Sequence, residues 1–279
     1  MTDCAIRALP PAGLLLAPVL AWQGTRIRRD TPRLPEADGL DGTEGTGDGP
    51  PLRLLVLGDS LAAGCGVDHN SEGLAGVIAR ALAQQHGRPV AWQVLARRGA
   101  TIASALDTLV PRIRTVPDVV VISLGINELT RFRSLRRWRA LVRRFLSELR
   151  CRVGDEPVVV FCGLPPVGRF PALPQPLRGV LALRARLMDR DLRAVAARFA
   201  VGHAPLSAPG IAEGPGDFFA RDGFHPSAAG YRETVAAFTL FPGVPPPGRV
   251  PPSPVADDQA PLPETTVPPD TKEAGRNAP

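Results

Sequence analysis

The chain has 279 residues, of which 44% are hydrophobic, so it can bury a core and is not disordered throughout, and its length allows one large domain or two small ones. Its formal net charge is +6, and almost all of the positive charge is arginine, because Lys272 is the only lysine. Because the chain is also rich in Ala, Pro and Gly, we interpret this charge first as a compositional bias and only second as a preference for acidic partners.

Residues 1–29 are predicted to form an apolar N-terminal segment. The apolar run from Ala8 to Gly24 contains Pro10, Pro11 and Pro18, and it is shorter than the about 20 apolar residues of a membrane span. The leader before it is weakly basic, and no clean small-residue cleavage site follows it. Three alternatives stay open: a segment packed on the domain, a membrane-surface anchor and an atypical export signal. The localisation is therefore open, with a cytoplasmic or membrane-associated protein slightly favoured over a secreted one.

Two further segments have compositions that favour disorder. Residues 30–51 are polar and rich in Gly, Pro, Asp and Glu, which predicts a flexible linker. Residues 242–279 are crowded with Pro and lack aromatic side chains, which predicts a disordered, extended tail that acts as a spacer rather than as a Pro-motif ligand. These limits leave residues 52–241 as the folded domain.

Within this domain, short apolar runs alternate with stretches of helical periodicity. The runs "VVVISLG" and "VVVFCG" are apolar at successive positions, as in parallel strands that are buried on both faces. The predicted strands are Arg53 to Leu57, Val90 to Leu95, Asp118 to Leu124, Val158 to Gly163 and, with the weakest pattern, Val201 to Leu206.

Three apolar stripes predict helices between these strands. They run from Leu74 to Leu82, with Asn70 or Ser71 as a cap and Gly87 as a stop, from Leu135 to Leu149, and from Leu177 to Phe199. This alternation predicts an α/β domain, a three-layer α/β/α sandwich with a central parallel sheet of about five strands. Ligands bind such sheets at the carboxyl ends of the strands, and Ser60 in "VLGDSLAAG" follows the first strand directly.

A serine hydroxyl attacks a carbonyl poorly unless a base removes its proton, so we searched for a histidine with a carboxylate partner. His225 in "RDGFHPSAAGYR" has Asp222 three residues before it in a Gly-containing turn. This spacing lets Asp222 accept the Nδ1 hydrogen and leaves Nε2 free to face a serine. His69, His86 and His203 are predicted to be surface or packing residues.

The negative charge that develops on a carbonyl oxygen needs preorganised donors. Gly99 in "RRGATI" can bring its backbone N–H close to a ligand, and Asn127 in "SLGINEL" offers a side-chain amide. Each signal is weak alone, because Gly is common in turns and Asn often caps a helix. The predicted sheet nevertheless brings Gly99, Asn127, Ser60 and His225 to the same edge.

The four blocks "GDSL", "RRGAT", "GINE" and "DGFH", in this order, resemble the SGNH (GDSL-type) hydrolase family between about Leu52 and Phe238. The resemblance implies a flavodoxin-like fold and ester hydrolysis through an acyl-serine intermediate. It also implies that Ser60 is the nucleophile, that His225 is the base and that Asp222 orients His225. The Ser60 N–H, the Gly99 N–H and the Asn127 side chain would form the oxyanion hole. Glu128 departs from the usual Gly-x-Asn-Asp of the third block.

Spacing argues against the rival active sites that contain a similar turn. The elbow of an α/β-hydrolase needs Gly two residues after the serine, where Ala62 stands. A phosphate-binding loop needs a Lys-Ser/Thr pair, which "GDSLAAGCG" lacks, and "GCGVDHN" lacks the last glycine of a dinucleotide fingerprint. Nucleotide binding is therefore not predicted.

Two further stretches bear on the substrate and on partners. The Pro-rich loop from Gly163 to Leu177 can either wall an acyl pocket or serve as a rigid crossover; the pocket side chains would be Leu164, Val167, Phe170 and Leu173. The basic residues of "RFRSLRRWRALVRR" lie off the apolar stripe of their helix, which favours a solvated face over a surface for anionic lipid; they are Arg136, Arg139, Arg143 and Arg144. Nucleic-acid binding is not predicted, because no aromatic residues interleave on this face.

The sequence therefore predicts a serine esterase or lipase-like hydrolase that cleaves carboxylic esters or thioesters. The alternative is a catalytically inactive module that binds lipid or carbohydrate on the same scaffold. We expect no cofactor and no metal, a small-molecule ester or acyl-thioester substrate, possible peripheral membrane contact and a monomer. The cysteines are predicted to be free and mostly buried thiols, because they are scattered and form no CxxC pair; they are Cys4, Cys65, Cys151 and Cys162.

Overall fold

A computed structural model describes residues 11–206, 211 and 216–238 of the chain. Within these residues, six strands form one sheet in the order β1-β3-β2-β4-β5-β6. The strands are β1 Asp41–Glu44, β2 Leu52–Gly58, β3 Val90–Ala96, β4 Val119–Ser123, β5 Val158–Cys162 and β6 Gly202–Ala204. All neighbouring strands are parallel except β1, which pairs antiparallel with β3.

Helices cover both faces of this sheet, so the α/β/α sandwich predicted from the alternating pattern is confirmed. The helices are α1 Pro11–Asp30, α2 Leu74–His86, α3 Ile102–Thr108, α4 Ile126–Thr130, α5 Leu135–Val153, α6 Leu177–Ala196 and α7 Ala228–Ala236. One apolar cluster joins the sheet to α3, α5 and α6, and a second joins its other face to α2 and α7. Consecutive residues of β2 alternate between the clusters, since Leu54 and Val56 belong to the second and Leu55 and Leu57 to the first.

Strand β1 lies within residues 30–51, the segment that the sequence predicts to be a flexible linker. This segment pairs with β3 through four residues, and Leu34 and Ala37 are buried. The Leu34 carbonyl also accepts a hydrogen bond from the Arg98 side chain at 2.9 Å. A segment with few apolar residues is ordered here because backbone hydrogen bonds and contacts with distant residues replace a core of its own. The sheet consequently has six strands instead of about five.

The described part of the apolar N-terminal segment forms helix α1, which lies on α6. The buried Gln23 donates to the Gln175 carbonyl at 2.6 Å and accepts from the Leu177 N–H at 3.1 Å. Leu20 and Ile27 pack against the first apolar cluster. These contacts pack α1 against α6. In the described part of the chain, no helix is long and apolar enough to cross a membrane.

The helix ends differ in detail from those expected. Gly87 ends α2 in the left-handed conformation, as predicted, but α2 begins at the N-cap Gly73 without a side-chain cap. Asn70 is buried instead, and its side chain donates to the Ala37 carbonyl at 3.2 Å. Its own carbonyl accepts the Gly76 N–H of α2 at 3.1 Å. The predicted tail, residues 242–279, and Cys4 lie outside the described residues.

Candidate active site

Ser60 lies in the turn after β2, a central strand that has β3 on one side in the sheet and β4 on the other. A strand order that reverses in this way leaves a crevice at the carboxyl ends of the strands. A side chain on Gly58 would come within 2.1 Å of the Ser123 carbonyl oxygen, so only glycine fits where β2 passes β4. The tight turn that follows brings the Ser60 side chain to the edge of the sheet.

His225 and Asp222 form a compact turn that meets Ser60 from a distant part of the chain. The His225 Nε2 lies 2.8 Å from the Ser60 Oγ, and the His225 Nδ1 lies 2.6 Å from the Asp222 Oδ2. The other Asp222 oxygen, Oδ1, accepts the backbone N–H groups of Phe224 at 2.9 Å and His225 at 3.0 Å. These bonds fix the Asp222 carboxylate next to the His225 ring. The side chains of Asp222, His225 and Ser60 therefore form one continuous hydrogen-bonded chain.

The environment of Asp222 keeps it ionised. Burial alone raises the pKa of this carboxyl, but the hydrogen bonds from the His225 side chain and from the two backbone N–H groups lower it overall. An ionised carboxylate only accepts hydrogen bonds, so the Nδ1 of His225 carries the proton. The Nε2 is then the acceptor for the Ser60 hydroxyl, which is the arrangement needed in a general base.

Gly99 and Asn127 line the same cavity as Ser60 and His225. Gly99 has a φ of +78°, and a Cβ there would meet nothing within 4 Å, so the glycine is required by the backbone conformation and not by lack of space. The Asn127 amide donates one hydrogen to the Ala100 carbonyl at 2.9 Å, which leaves its second hydrogen for another acceptor. Within the described residues, neither the Ser60 N–H nor the Gly99 N–H donates a hydrogen bond.

Two buried carboxyl groups beside these residues were not assigned a role from the sequence. Asp59 accepts the Leu61 N–H and the Ser123 hydroxyl, both at 3.2 Å. Glu128 accepts the Ile102 N–H at 2.6 Å, and its second oxygen has no partner among the described residues. The only sequence signal for either residue is its place directly beside Ser60 or Asn127.

The predicted pocket residues also lie on this cavity. Leu164, Phe170 and Leu173 are buried and line it. The Phe170 ring makes edge-on contacts with Phe219 and Phe224, with ring centres 5.4 Å and 6.1 Å apart. The Pro-rich loop therefore contributes an apolar wall next to the turn that carries His225.

The remaining histidines and the described cysteines take no part in the hydrogen-bonded chain of Asp222, His225 and Ser60. The His69 ring bonds to Ser71, His203 bonds to Asp189 at 2.9 Å, and His86 lies in the last turn of α2. Cys65 and Cys162 are buried and free, but Cys151 is exposed on α5 and so departs from the mostly buried pattern expected. In the residues that the structure describes, no group of three His, Cys, Asp or Glu side chains could hold a metal ion.

Comparisons with known proteins show the family of the chain. The model of the GDSL-like lipase/acylhydrolase family matches residues 56–233. A GDSL-like esterase of Mycobacterium tuberculosis is 33% identical over 242 residues, which covers 80% of this chain and 74% of that protein. The crystal structure of a lipase/acylhydrolase from Enterococcus faecalis is 24% identical, has a TM-score of 0.50 and covers 67% of this chain and 92% of its own. This last likeness supports the fold.

Proposed function

Because the chain belongs to the GDSL-like lipase/acylhydrolase family and is therefore a hydrolase of ester substrates, we propose that it cleaves carboxylic esters and thioesters through an acyl-serine intermediate on Ser60. The observation that carries this proposal is the hydrogen-bonded chain from Asp222 through His225 to the Ser60 Oγ. These hydrogen bonds lead to the Ser60 Oγ at the carboxyl edge of the sheet, inside a cavity large enough for a substrate.

In the first half of the reaction, the Ser60 hydroxyl gives its proton to the His225 Nε2 while its Oγ forms a bond to the carbonyl carbon. Asp222 stabilises the imidazolium that results. The carbonyl oxygen becomes an oxyanion, which accepts hydrogen bonds from the free N–H groups of Ser60 and Gly99 and from the unused amide hydrogen of Asn127. When the tetrahedral intermediate collapses, the bond to the leaving group breaks and His225 returns the proton to that group.

In the second half, water replaces the alcohol or thiol. His225 takes one proton of the water while the water oxygen bonds to the acyl carbon, and the bond to the Ser60 Oγ then breaks. The proton returns to Ser60 and the free acid leaves. Every catalytic group in these reaction steps is a residue of the protein, so water is the only co-reactant that is consumed.

The test is the turnover of p-nitrophenyl acetate and butyrate by Ser60→Ala. We expect kcat to fall by at least about 10³-fold, because the nucleophile is lost while the fold is kept. The matched control is Ser147→Ala, an exposed serine on α5, which should keep the wild-type rate.

A fluorophosphonate probe gives an independent measurement. It should label the wild-type protein at Ser60 and should not label Ser60→Ala. Turnover that survives in Ser60→Ala would overturn the assignment of the nucleophile. Absence of both turnover and labelling in the wild type would instead favour a binding module without catalysis.

A further inference from the structure

The cavity that contains Ser60 and His225 continues far beyond them. Its volume is about 1550 Å³, which exceeds the about 300–1,000 Å³ of ordinary small-molecule sites. Its lining includes Ser60, Gly99, Asn127 and His225, and it also includes one side of helix α1. A short acyl group such as acetyl would occupy only a small part of this space.

Three elements form the groove away from the catalytic end. Its walls and floor come from α1, from the segment that joins α4 to α5, and from the exposed side of α6. They include Ala17, Ala21 and Gly24 of α1, Phe132 of the joining segment, and Leu183 and Leu187 of α6. In the described part of this lining the only carboxylates are Asp59 and Asp222. The other charged residues are arginines, such as Arg28, Arg133 and Arg184. Most of the remaining residues are apolar, which suits an acyl chain.

Helix α1 borders this groove with three small residues, Ala17, Ala21 and Gly24, as well as with Leu16 and Leu20. Ala17, Ala21, Gly24 and Arg28 recur every three or four residues and so lie on one side of the helix. Ala17 and Ala21 are exposed, which means that their side chains border open space rather than a packed core. The opposite side of the helix, which carries Val19, does not line the cavity.

Helix α1 is fixed in this position at two points. Gln23 bonds to the backbone before and at the start of α6, at 2.6 Å and 3.1 Å. After the helix ends, the Glu36 side chain accepts the Arg98 N–H at 2.6 Å, directly beside Gly99. Helix α1 is therefore held by hydrogen bonds at its middle. The segment that follows it is hydrogen-bonded to the residue next to Gly99 in the proposed oxyanion hole.

We infer that α1 is the outer wall of an acyl-binding groove for long-chain esters, and that Ala17, Ala21 and Gly24 determine the length of acyl chain that the groove admits. This inference rests on the proposed function, since the groove receives an acyl chain only if Ser60 is acylated. Helix α1 precedes residues 56–233, the part that matches the family, so this role does not follow from membership of the family.

The test narrows the groove without touching the catalytic residues. Ala17→Phe and Ala21→Phe each add a ring on the groove side of α1, where the native side chain is exposed. We expect kcat/KM for p-nitrophenyl dodecanoate to fall by at least about tenfold in each variant, because one obstructed chain costs roughly 1.4 kcal/mol or more. The value for p-nitrophenyl acetate should stay within about twofold of wild type. The matched control is Val19→Phe, an exposed residue on the far side of α1, which should leave both values unchanged.

The outcomes separate this inference from the proposed function. Absence of Ser60-dependent turnover of either ester in the wild type would contradict the proposed function. Ser60-dependent turnover of acetate together with no turnover of dodecanoate would overturn the inference alone. The inference would also be wrong if both groove variants kept wild-type turnover of dodecanoate, or if they lost acetate and dodecanoate in equal proportion.

Discussion

At the scale of single residues, Asp59 shows how burial changes a carboxyl group next to a catalytic serine. Its side chain is 2% exposed, and burial raises its pKa to about 7, although the bonds from the Leu61 N–H and the Ser123 hydroxyl act in the opposite direction. In the unfolded chain this carboxyl would have a pKa of about 3.9. The folded protein therefore holds a proton on Asp59 over a range of pH in which the unfolded chain has released it.

We predict that Asp59→Asn changes the pH dependence of stability. Because the pKa is raised in the folded state, the stabilisation by Asp59 is fully present below about pH 4 and is lost as the pH rises through about 7. Asparagine keeps an Oδ1 oxygen that can accept both of these hydrogen bonds, and it does not ionise. Relative to wild type, the free energy of unfolding of the variant should therefore rise between pH 5 and pH 8.5, by up to about 3 kcal/mol.

Urea unfolding of both proteins at the two pH values measures this difference. The value at pH 5 serves as the baseline for any effect of the substitution itself. A gap between the two proteins that does not change with pH would contradict the prediction.

At the scale of elements, Glu128 joins two short helices that carry the proposed oxyanion donors. It lies in α4 next to Asn127, and it accepts the Ile102 N–H at the start of α3, three residues after Gly99. The Asn127 bond to the Ala100 carbonyl makes a second link between the same segments. The usual second acid of the third block is aspartate, and the longer glutamate here still orders the turn that contains Gly99.

We predict that Glu128 is a positioning residue. In Glu128→Ala the turn loses one of its two links, so kcat for p-nitrophenyl acetate should fall by about 10- to 100-fold with little change in KM. Glu128→Gln retains an oxygen that can accept the Ile102 N–H, so it should restore kcat to within about threefold of wild type. Burial raises the pKa of the Glu128 carboxyl, although the hydrogen bond from the Ile102 N–H lowers it. An uncharged amide therefore suits this site.

Steady-state kinetics of both variants, with circular dichroism to check that they fold, measure this effect. The positioning role would be excluded by an alanine variant with wild-type kcat. It would also be excluded by a glutamine variant as impaired as the alanine variant.

At the scale of the whole molecule, the two buried thiols report on the integrity of the sandwich. Cys65 follows the Ser60 turn and Cys162 ends β5, and neither is more than 1% exposed. Burial raises the pKa of each thiol to about 12. Because the thiolate is the reactive form, both groups should be inert in the folded protein.

We predict that a Cys4→Ser/Cys151→Ser protein shows no thiol that reacts with dithionitrobenzoate in native buffer and two that react in urea. This background removes the exposed Cys151 and also Cys4, which lies outside the described residues. The two thiols should become reactive over the same range of urea as the loss of circular dichroism. Rapid reaction of either thiol in native buffer would show that the sandwich opens locally around it.

Much of the fold and part of the candidate site could be predicted because they depend on local patterns. The β-branched runs and amphipathic stripes predicted the sandwich. A strand buried on both faces is apolar at successive positions, and a helix buried on one side is apolar at every third or fourth position. The pairing of Asp222 with His225 is also local, because three residues of turn bring the carboxylate to the ring. Strand β1 was missed, because "DGTE" has no apolar pattern and its pairing with β3 comes from backbone hydrogen bonds.

The sequence by itself therefore determined strands β2 to β6, helices α2, α5 and α6, the four blocks and the Asp222 to His225 spacing. Only the tertiary structure decided the 2.8 Å contact between His225 and Ser60, the protonation of Asp59 and the position of α1 along the cavity. The physical reason is that periodicity and turn chemistry act between neighbours in the chain. Burial, charge and cavity shape instead depend on segments that are far apart in sequence and meet only when the chain is folded.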